Sequence, residues 1–413
     1  MKVLVIGSGG RCHAIVKALS KSEKVTRIYA APGNSGMSEL ATLINISATN
    51  VSELVAFAKI ENMDLTVVGP EVSLAAGVVN EFEKNGLKIF GPTKEAAQIE
   101  SSKSFAKDLM KKYGIPTADF EIFNNYDKAW EYAQSKTLPL VLKYDGLAAG
   151  KGVVICHTLS EVKTNLIDML VDDKYGEPKL VIEEFLEGPE FSFMCMVSGT
   201  EVYPLVISQD HKRVYENDMG PNTGGMGAYS GVPIISDEDV KYALEHIMKP
   251  TAKALMLEGK PFKGLLYGGL MKTKTGVKVI EFNARFGDPE TEVVLPRLKS
   301  DIFDAFINVI DGNPVELEWS EHYTLGIVLA SKGYPGAYAK GEEIKGLENV
   351  KSEVYHMGTR YEDGKYTVNG GRVLIVVGEG NTLKEAQQNA LKDIEKIECK
   401  SLFYRKDIGY RAL

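Results

Sequence analysis

The chain has 413 residues, which at ~100–200 residues per domain predicts two to four domains around a sizeable core. Hydrophobic residues at 44% and charged residues at 25% exclude a disordered or fibrous chain. A net charge of −8 excludes broad, non-specific nucleic-acid binding and leaves room only for a local basic pocket that takes a phosphate. Glycine is the skewed count: 40 residues, where ~7% usage predicts about 29, and backbone that must approach a ligand closely explains such an excess.

The first apolar run, Val3–Ile6, stops at Gly7 and is too short for a signal-peptide core. No run approaches the ~20 apolar residues of a membrane span. Cys12, Cys156, Cys195 and Cys399 are scattered, with no CxxC metal or redox motif. Together these predict a cytoplasmic protein without disulfides.

In chain order, KVLVI (2–6) reads as a buried strand, GSGG as a turn, and Arg11–Ser20 as a helix. A second strand, Val25–Ala31, ends in PGNSG; a helix, Val51–Lys59, leads to strand Leu65–Val68 and GPE. Helix Leu74–Asn85 precedes strand Lys88–Phe90. This alternation predicts βαβ units and a parallel sheet, with the Gly-bearing loops at the strand ends where such sheets bind ligands. Residues 98–113 predict one amphipathic helix with Phe105, Leu109 and Met110 inward. At 138–156 the pattern changes to strand, Gly-rich turn, strand: a hairpin with a long tip. Helix Leu159–Leu170, strand Lys179–Glu184, apolar alternation at 190–208 and 263–285, strands at Gly326–Ser331 and Arg372–Val377, and helix Leu383–Ile397 complete the pattern.

The GSGG turn invites comparison with a dinucleotide fingerprint, but Cys12 stands where its third glycine belongs. The second strand ends Tyr29-Ala30-Ala31-Pro32, with no acid for a ribose. An anion at the helix N-terminus, helped by Arg11, is the better reading; a purely structural turn is the plainer one. Lys143 and Lys151 flank DGLAAG, and Gly146, Gly150 and Gly152 let backbone approach a polyphosphate and let the tip move; the plainer reading is a mobile surface hairpin. In VKVIEFN (277–283), Glu281 and Asn283 share one strand face, opposite Ile280 and Phe282, and are spaced to hold Mg²⁺ between phosphates. Arg285 continues that face, and Asp288 and Glu290 lie at the following turn. Glu183 and Glu184 point to opposite faces, so one at most enters a site; Glu190 is a ribose-hydroxyl candidate. GPNTGGMGAYS (220–230) reads as a substrate-contacting loop with few apolar side chains to bury, and His211 as a hydrogen-bonding loop residue.

These motifs together bring a resemblance. A lysine on the strand before DGLAAGKG, the EEFLEG hinge and the terminal E-x-N strand resemble the ATP-grasp fold. With GSGGRxH, PGN, GPE, DHKR, GPNTGGMGAYS, EFNARFGDPE, ASKGYPG, GGRVL and RxDIGYRA, the set resembles the phosphoribosylamine–glycine ligase family from residue 7 to residue 412. The resemblance implies an α/β protein with a Rossmann-like parallel N-terminal domain for phosphoribosylamine (1–100). It implies an ATP-grasp domain (101–325) with a hairpin-bearing lid at about 120–187, and a small C-terminal α+β domain (326–413). It further implies ATP-dependent ligation of glycine to 5-phosphoribosylamine through glycyl phosphate, in purine biosynthesis. ATP and Mg²⁺ (or Mn²⁺) are the implied cofactors, the partners are small molecules only, and neither nucleic acid nor membrane is involved.

By the same resemblance Lys103, Lys143, Asp145, Gly146, Gly150, Lys151 and Gly152 hold the ATP phosphates and base. Glu183, Glu184, Leu186 and Glu190 line the adenosine pocket, and Glu281 and Asn283 bind the metal. Arg285 faces the transferred phosphoryl group; Asp210, Lys212, Gly225 and Asp288 form the glycine and reaction site. Gly9, Gly10, Arg11, Asn34 and Glu71 bind phosphoribosylamine. One departure stands out: the family's usual GGREH is Gly10-Arg11-Cys12-His13 here, so an acid that would contact the ribose or order Arg11 is missing. The rival readings are another ATP-grasp carboxylate–amine ligase, an NAD-dependent oxidoreductase and a non-catalytic nucleotide-binding module.

Overall fold

A computed structural model describes residues 1–146, 152–172 and 179–413. The first 90 residues form β1 (Lys2–Gly7), α1 (Gly10–Leu19), β2 (Arg27–Pro32), β3 (Thr42–Leu43), α2 (Val51–Ile60), β4 (Leu65–Val68), α3 (Glu71–Ala75), α4 (Val78–Lys84) and β5 (Ile89–Phe90). They make an open parallel sheet of order β3-β2-β1-β4-β5. Val3–Ile6 and Leu65–Val68 are buried throughout, as strands covered on both faces must be. The strand order reverses at β1, so GSGG after β1 and GPE after β4 border one crevice. The helix expected at Leu74–Asn85 is two helices, because Gly77 takes a left-handed conformation (φ 81°) between α3 and α4.

The helix expected over 98–113 is also broken. It forms α5 (Gln98–Ser101) and α6 (Lys103–Tyr113), with extended Ser102 between them and its hydroxyl capping α6 at the Phe105 amide. Leu109 and Met110 are buried as expected, whereas Phe105 is half-buried. Next come β6 (Phe120–Phe123), α7 (Tyr126–Gln134), β7 (Leu140–Tyr144), β8 (Val153–Cys156), α8 (Leu159–Leu170) and β9 (Leu180–Glu184). Their antiparallel sheet has the order β6-β9-β7-β8, and β7 with β8 is the expected hairpin. This unit has a core of its own, including Leu142, Cys156, Val162, Leu166 and Ile182. Gly150 and Lys151, at the tip, lie outside the described residues.

The remaining chain supplies β10 (Glu190–Ser198), β11 (Glu201–Pro204), β12 (Ser208–Asp210), β13 (Arg213–Tyr215), β14 (Met219–Asn222), β15 (Gly227–Ser230), α9 (Asp237–Ala243), α10 (Lys249–Leu257), β16 (Lys263–Thr273) and β17 (Gly276–Asn283). It continues with α11 (Thr291–Val294), α12 (Ile302–Asp311), β18 (Tyr323–Ser331), β19 (Glu343–Ile344), β20 (Glu353–His356), β21 (Thr359–Glu362), β22 (Lys365–Val368), β23 (Arg372–Gly380), α13 (Leu383–Ile394) and β24 (Leu402–Phe403). A ten-stranded sheet runs β17-β16-β10-β12-β15-β18-β23-β20, with β11 on β10 and β24 on β18. The division expected at 325/326 therefore falls inside β18, a strand bonded to β15 on one side and β23 on the other. One continuous core spans the parallel sheet and the ten-stranded sheet. Among the described residues no helix is long and apolar enough to cross a membrane.

The segment 220–230 corrects the sequence reading. Its second half is not a polar loop but β15, with Ala228 and Tyr229 fully buried and Met226 buried just ahead of it. Gly227 serves packing, since a side chain there would run into the Gly326 carbonyl and Ile408.

Candidate active site

A cleft of about 510 Å³ lies where the crevice of the parallel sheet meets α6, the hairpin strand β7 and the end of β17. Among the described residues, seven basic and seven acidic side chains line it. The lining residues therefore carry no net charge, so a polyanion gains from a further cation when it binds.

One end is built on α6, β7 and β9. Lys103 and Lys107 stand one turn apart on α6, and both line the cleft with Lys143 and Glu183. Glu183 Oε2 lies 3.0 Å from Lys143 Nζ and 3.1 Å from Lys107 Nζ, while its Oε1 is buried without a hydrogen-bond partner. Lys103 donates to the Gly146 carbonyl at 3.0 Å. Burial pushes Lys103 down, and Lys107 to about 8 despite the opposing pull of Glu183.

β17 carries a bulge. Gly269 pairs with Glu281 and Leu270 with Val279, which leaves Ile280 as the extra residue, and its carbonyl accepts from Lys143 at 2.8 Å. Beyond the bulge the alternation is regular, so Glu281 and Asn283 share one face as expected and Phe282 is buried in the core, while backbone and side chains of 280–283 all border the cleft. The half-buried Glu281 carboxylate lines the cleft within the field of Lys103 and Lys212. Asn283 Oδ1 accepts from Arg285 at 3.1 Å. One carboxylate and one amide oxygen on a cleft wall fit a hard cation that takes its other ligands from phosphate and water. The charge balance of the cleft favours such a cation whenever a polyphosphate enters.

The other end centres on arginines. Arg285 meets Glu100 at 2.9 Å and Glu71 at 3.2 Å. Burial alone would lower its pKa, but Glu100 and Glu71 outweigh burial and hold the guanidinium charged. Arg11 lies 3.8 Å from Glu71 and 3.5 Å from Asp288 and donates to the Phe286 carbonyl at 2.9 Å. Asp288 Oδ2 accepts the Arg11 amide at 3.2 Å, and its Oδ1 lies 3.0 Å from Arg372 as an ion pair without hydrogen-bond alignment. Arg372 also donates to the Gly224 carbonyl at 2.7 Å. Glu290 is buried and accepts from the Tyr267 hydroxyl at 2.6 Å. Asp210 lines the cleft beside Lys212, which pairs with Glu190 at 2.7 Å. Burial, followed by the neighbouring Glu290 and Glu190 charges, pushes Asp210 up to about 7 against the pull of Lys212.

Of the residues singled out from sequence, the cleft brings together Arg11, Glu71, Lys103, Lys143, Gly146, Gly152, Glu183, Asp210, Lys212, Glu281, Asn283, Arg285 and Asp288. Others it does not. Asp145 turns away to the N-terminus of α6, accepting from the Ser104 amide at 3.1 Å and from the Ser102 hydroxyl at 3.2 Å. Glu184 faces the opposite side of β9, where it pairs with Lys278 at 3.1 Å and accepts the Asp119 amide at 3.2 Å. Asn34 caps a short turn at Gly36 and donates to Ser8 and His356 carbonyls at 2.7 and 2.9 Å. Gly9 and Gly10 start α1, where the amide expected to await an anion is taken by Asp288, and a side chain at Gly10 would meet Glu292. Gly225, Leu186 and Glu190 are not among the lining residues; Glu190 reaches the cleft through Lys212.

Sequence reasoning missed Glu100, Lys107, Tyr267 and Arg372 as lining residues. Lys107 carried a signal, its spacing of four from Lys103 on one helix. Arg372 is the arginine of the GGRVL motif, but only the tertiary fold sets it against Asp288. His211, read as a hydrogen-bonding residue, is one: it is fully buried and its Nε2 accepts the Gly409 amide at 2.9 Å.

An open parallel α/β unit, a separately cored hairpin unit and the E-x-N strand around one cleft define an ATP-grasp protein. Solved biotin carboxylases share this fold, one from Campylobacter jejuni at TM-score 0.75 and 14% identity over 98% of this chain and 93% of its own. The phosphoribosylglycinamide synthetase N domain matches residues 1–100, its ATP-grasp (A) domain residues 101–291 and its C domain residues 324–411. The chain belongs to the phosphoribosylglycinamide synthetase family. It is 54% identical to the phosphoribosylamine–glycine ligase of Halalkalibacterium halodurans over 100% of this chain and 97% of that protein. It is 48% identical to that of Listeria innocua over 100% of both. The solved phosphoribosylamine–glycine ligase of Thermotoga maritima superposes at TM-score 0.87, with 33% identity over 99% of this chain and 100% of its own.

Proposed function

We propose that the chain ligates glycine to 5-phosphoribosylamine at the expense of ATP, forming glycinamide ribonucleotide, ADP and phosphate for purine biosynthesis. The observation that carries this reading is one cleft joining the lysine and E-x-N end to Arg11 and Glu71 at the edge of the parallel sheet. Residues 1–100 serve as the phosphoribosylamine unit, the chain from 101 up to β18 as the ATP-grasp unit with its lid at about 120–187, and the chain from β18 onward as the C-terminal unit. Scattered free thiols and soluble, charged substrates fit a cytoplasmic site of action.

A carboxylate resists amines because it is anionic and lacks a leaving group. A glycine carboxylate oxygen attacks the γ-phosphorus, the bond to ADP breaks, and glycyl phosphate forms. The phosphoribosylamine nitrogen then attacks the carbonyl carbon, and phosphate leaves. Such phosphoryl transfer needs positioning and charge more than an acid or base. Lys103 and Lys143, with Lys151, hold the phosphates, and Glu183 receives the base. Glu281 and Asn283 hold Mg²⁺ or Mn²⁺, which when bound neutralises phosphate charge. Arg285, clamped by Glu71 and Glu100, presents fixed positive charge to the transferred group. Asp210, poised near 7, takes the proton that the attacking amine loses.

ADP release measured by a coupled assay should require glycine and phosphoribosylamine together. Release that is equal with either substrate alone, or with other amino acids in place of glycine, overturns the reading. In the same assay Asn283→Ala should raise the Mg²⁺ concentration for half-maximal rate roughly tenfold or more, as loss of one ligand predicts; an unchanged titration removes Asn283 from the metal site.

A further inference from the structure

Among the described residues the hairpin β13–β14 pairs with no other strand, and β14 is exposed along its length. Yet the chain entering it carries Asp210 and Lys212, and the chain leaving it carries Thr223 and Gly224, all four on the cleft wall. Val214 is its only fully buried apolar residue, too little to fix a hairpin. Something else must hold it.

That role falls to residues from the far end of the chain. Asp218, at the hairpin tip, accepts from Arg405 Nη1 at 3.0 Å, Arg411 Nη2 at 2.5 Å and the Tyr410 hydroxyl at 2.7 Å. The Asn217 amide donates to Asp407 at 2.8 Å and the Lys406 amide to Glu216 at 3.0 Å. Asn217 and Asp218 sit at φ 57° and 54°, left-handed conformations that these contacts offset. Arg405, 1% exposed, is forked onto Asp407 at 2.8 Å through both Nε and Nη2 and also donates to the Arg213 carbonyl at 2.9 Å. At the hairpin base, the Gly409 amide donates to His211 at 2.9 Å and Arg411 Nη1 donates to the Asp210 carbonyl at 3.2 Å. Arg411 thus ties hairpin tip to hairpin base and touches the backbone of a cleft acid.

We propose that the C-terminal segment Arg405–Arg411 is a working part of the reaction site, in which Arg411, braced on Asp218, positions Asp210 and Lys212 for the glycine and amine half of the reaction. The inference rests on the function proposed above. Arg411 and Asp218 are positioning residues; neither lines the cleft. Arg411 also acts through its charge. The groups bearing on the Asp210 carboxyl are Lys212 and Arg411, which favour its ionised form, and Glu290 and Glu190, which oppose it, with the Tyr267 hydroxyl nearby. Removing Arg411 moves the Asp210 titration upward.

The test uses the full chain and the glycine- and phosphoribosylamine-dependent release of ADP. Arg411→Met and Asp218→Asn should each lower kcat/KM for glycine tenfold or more and leave the KM for ATP within twofold. The acid limb of the pH–rate profile should move to higher pH in Arg411→Met and stay in place in Arg411→Lys. Wild-type glycine efficiency and an unmoved limb in folded Arg411→Met overturn the proposal, as does a loss shared equally between glycine and ATP. Should the methionine variant fail to fold, Arg411→Lys decides: a threefold or greater loss in glycine efficiency supports the proposal and none overturns it. A wild-type chain without substrate-dependent ADP release refutes the parent reading instead.

Discussion

Glu292 is fully buried, and neither carboxylate oxygen has a hydrogen-bond partner. Burial first, then the neighbouring Asp288 charge, pushes its carboxyl well above the usual range, against the pull of Arg372 and Arg11. Its folded pKa exceeds its unfolded one, so the native state binds the extra proton. The stability tied to this group is whole below the ordinary carboxylate range and is lost as pH rises from there towards the raised folded value. Glutamine has no proton to hold. Glu292→Gln should therefore be more stable than wild type at pH 8, by about 1 kcal/mol or more, with the gap narrowing towards pH 5.5 in thermal melts. A gap independent of pH would show that Glu292 is not titrating as argued. Cys12 reads differently once its surroundings are known. It is 2% exposed, packed beneath Gly7 and Gly69, and burial pushes its thiol up to about 12. Position 12 faces the core rather than the cleft, so the absent acid has no direct route to a ribose contact.

At the scale of the element, Asp145 shows how a motif residue serves a site without entering it. It ends the hairpin strand β7, yet its carboxylate caps α6, the helix that carries Lys103 and Lys107. Lys179, ahead of β9, closes the same knot at 3.3 Å. Burial opposes its ionisation, but hydrogen bonds from Ser104 outweigh burial and hold the carboxyl below its usual range. Hairpin strand and lysine helix are thereby one mechanical piece. Asp145→Ala should cost about 1–2 kcal/mol of stability, as loss of a helix cap does, and raise the KM for ATP several-fold at constant KM for glycine. Unaltered melting and ATP affinity would mean the knot plays no part in nucleotide binding. The bulge at Ile280 is the second such device. Alternation predicted Glu281 and Asn283 on one face, and they are, but the extra residue also frees a carbonyl for Lys143.

Across the whole molecule, the described residues hold two cores, one in the lid and one running from the parallel sheet through the ten-stranded sheet. The lid packs on its own core and joins the larger one through polar ties such as Asp145 to the start of α6. Strand and helix order, the hairpin, the Gly-rich strand ends and the E-x-N pair were legible in the sequence alone. Each depends on local periodicity and on residue types whose backbone or oxygen chemistry travels with them, as Val3–Ile6, Gly146 and Glu281 illustrate. The tertiary structure alone decided where charges meet. Asp288 caps α1 and pairs with Arg372, 84 residues on, and Asp218 is held by Arg411, 193 residues on. It also decided that half of GPNTGGMGAYS is a buried strand, because burial depends on the neighbours β12 and β18 and not on the segment's own composition. Periodicity reports the face a residue shares with its near neighbours. The partner across that face is set by chain closure over long loops, which no local pattern encodes.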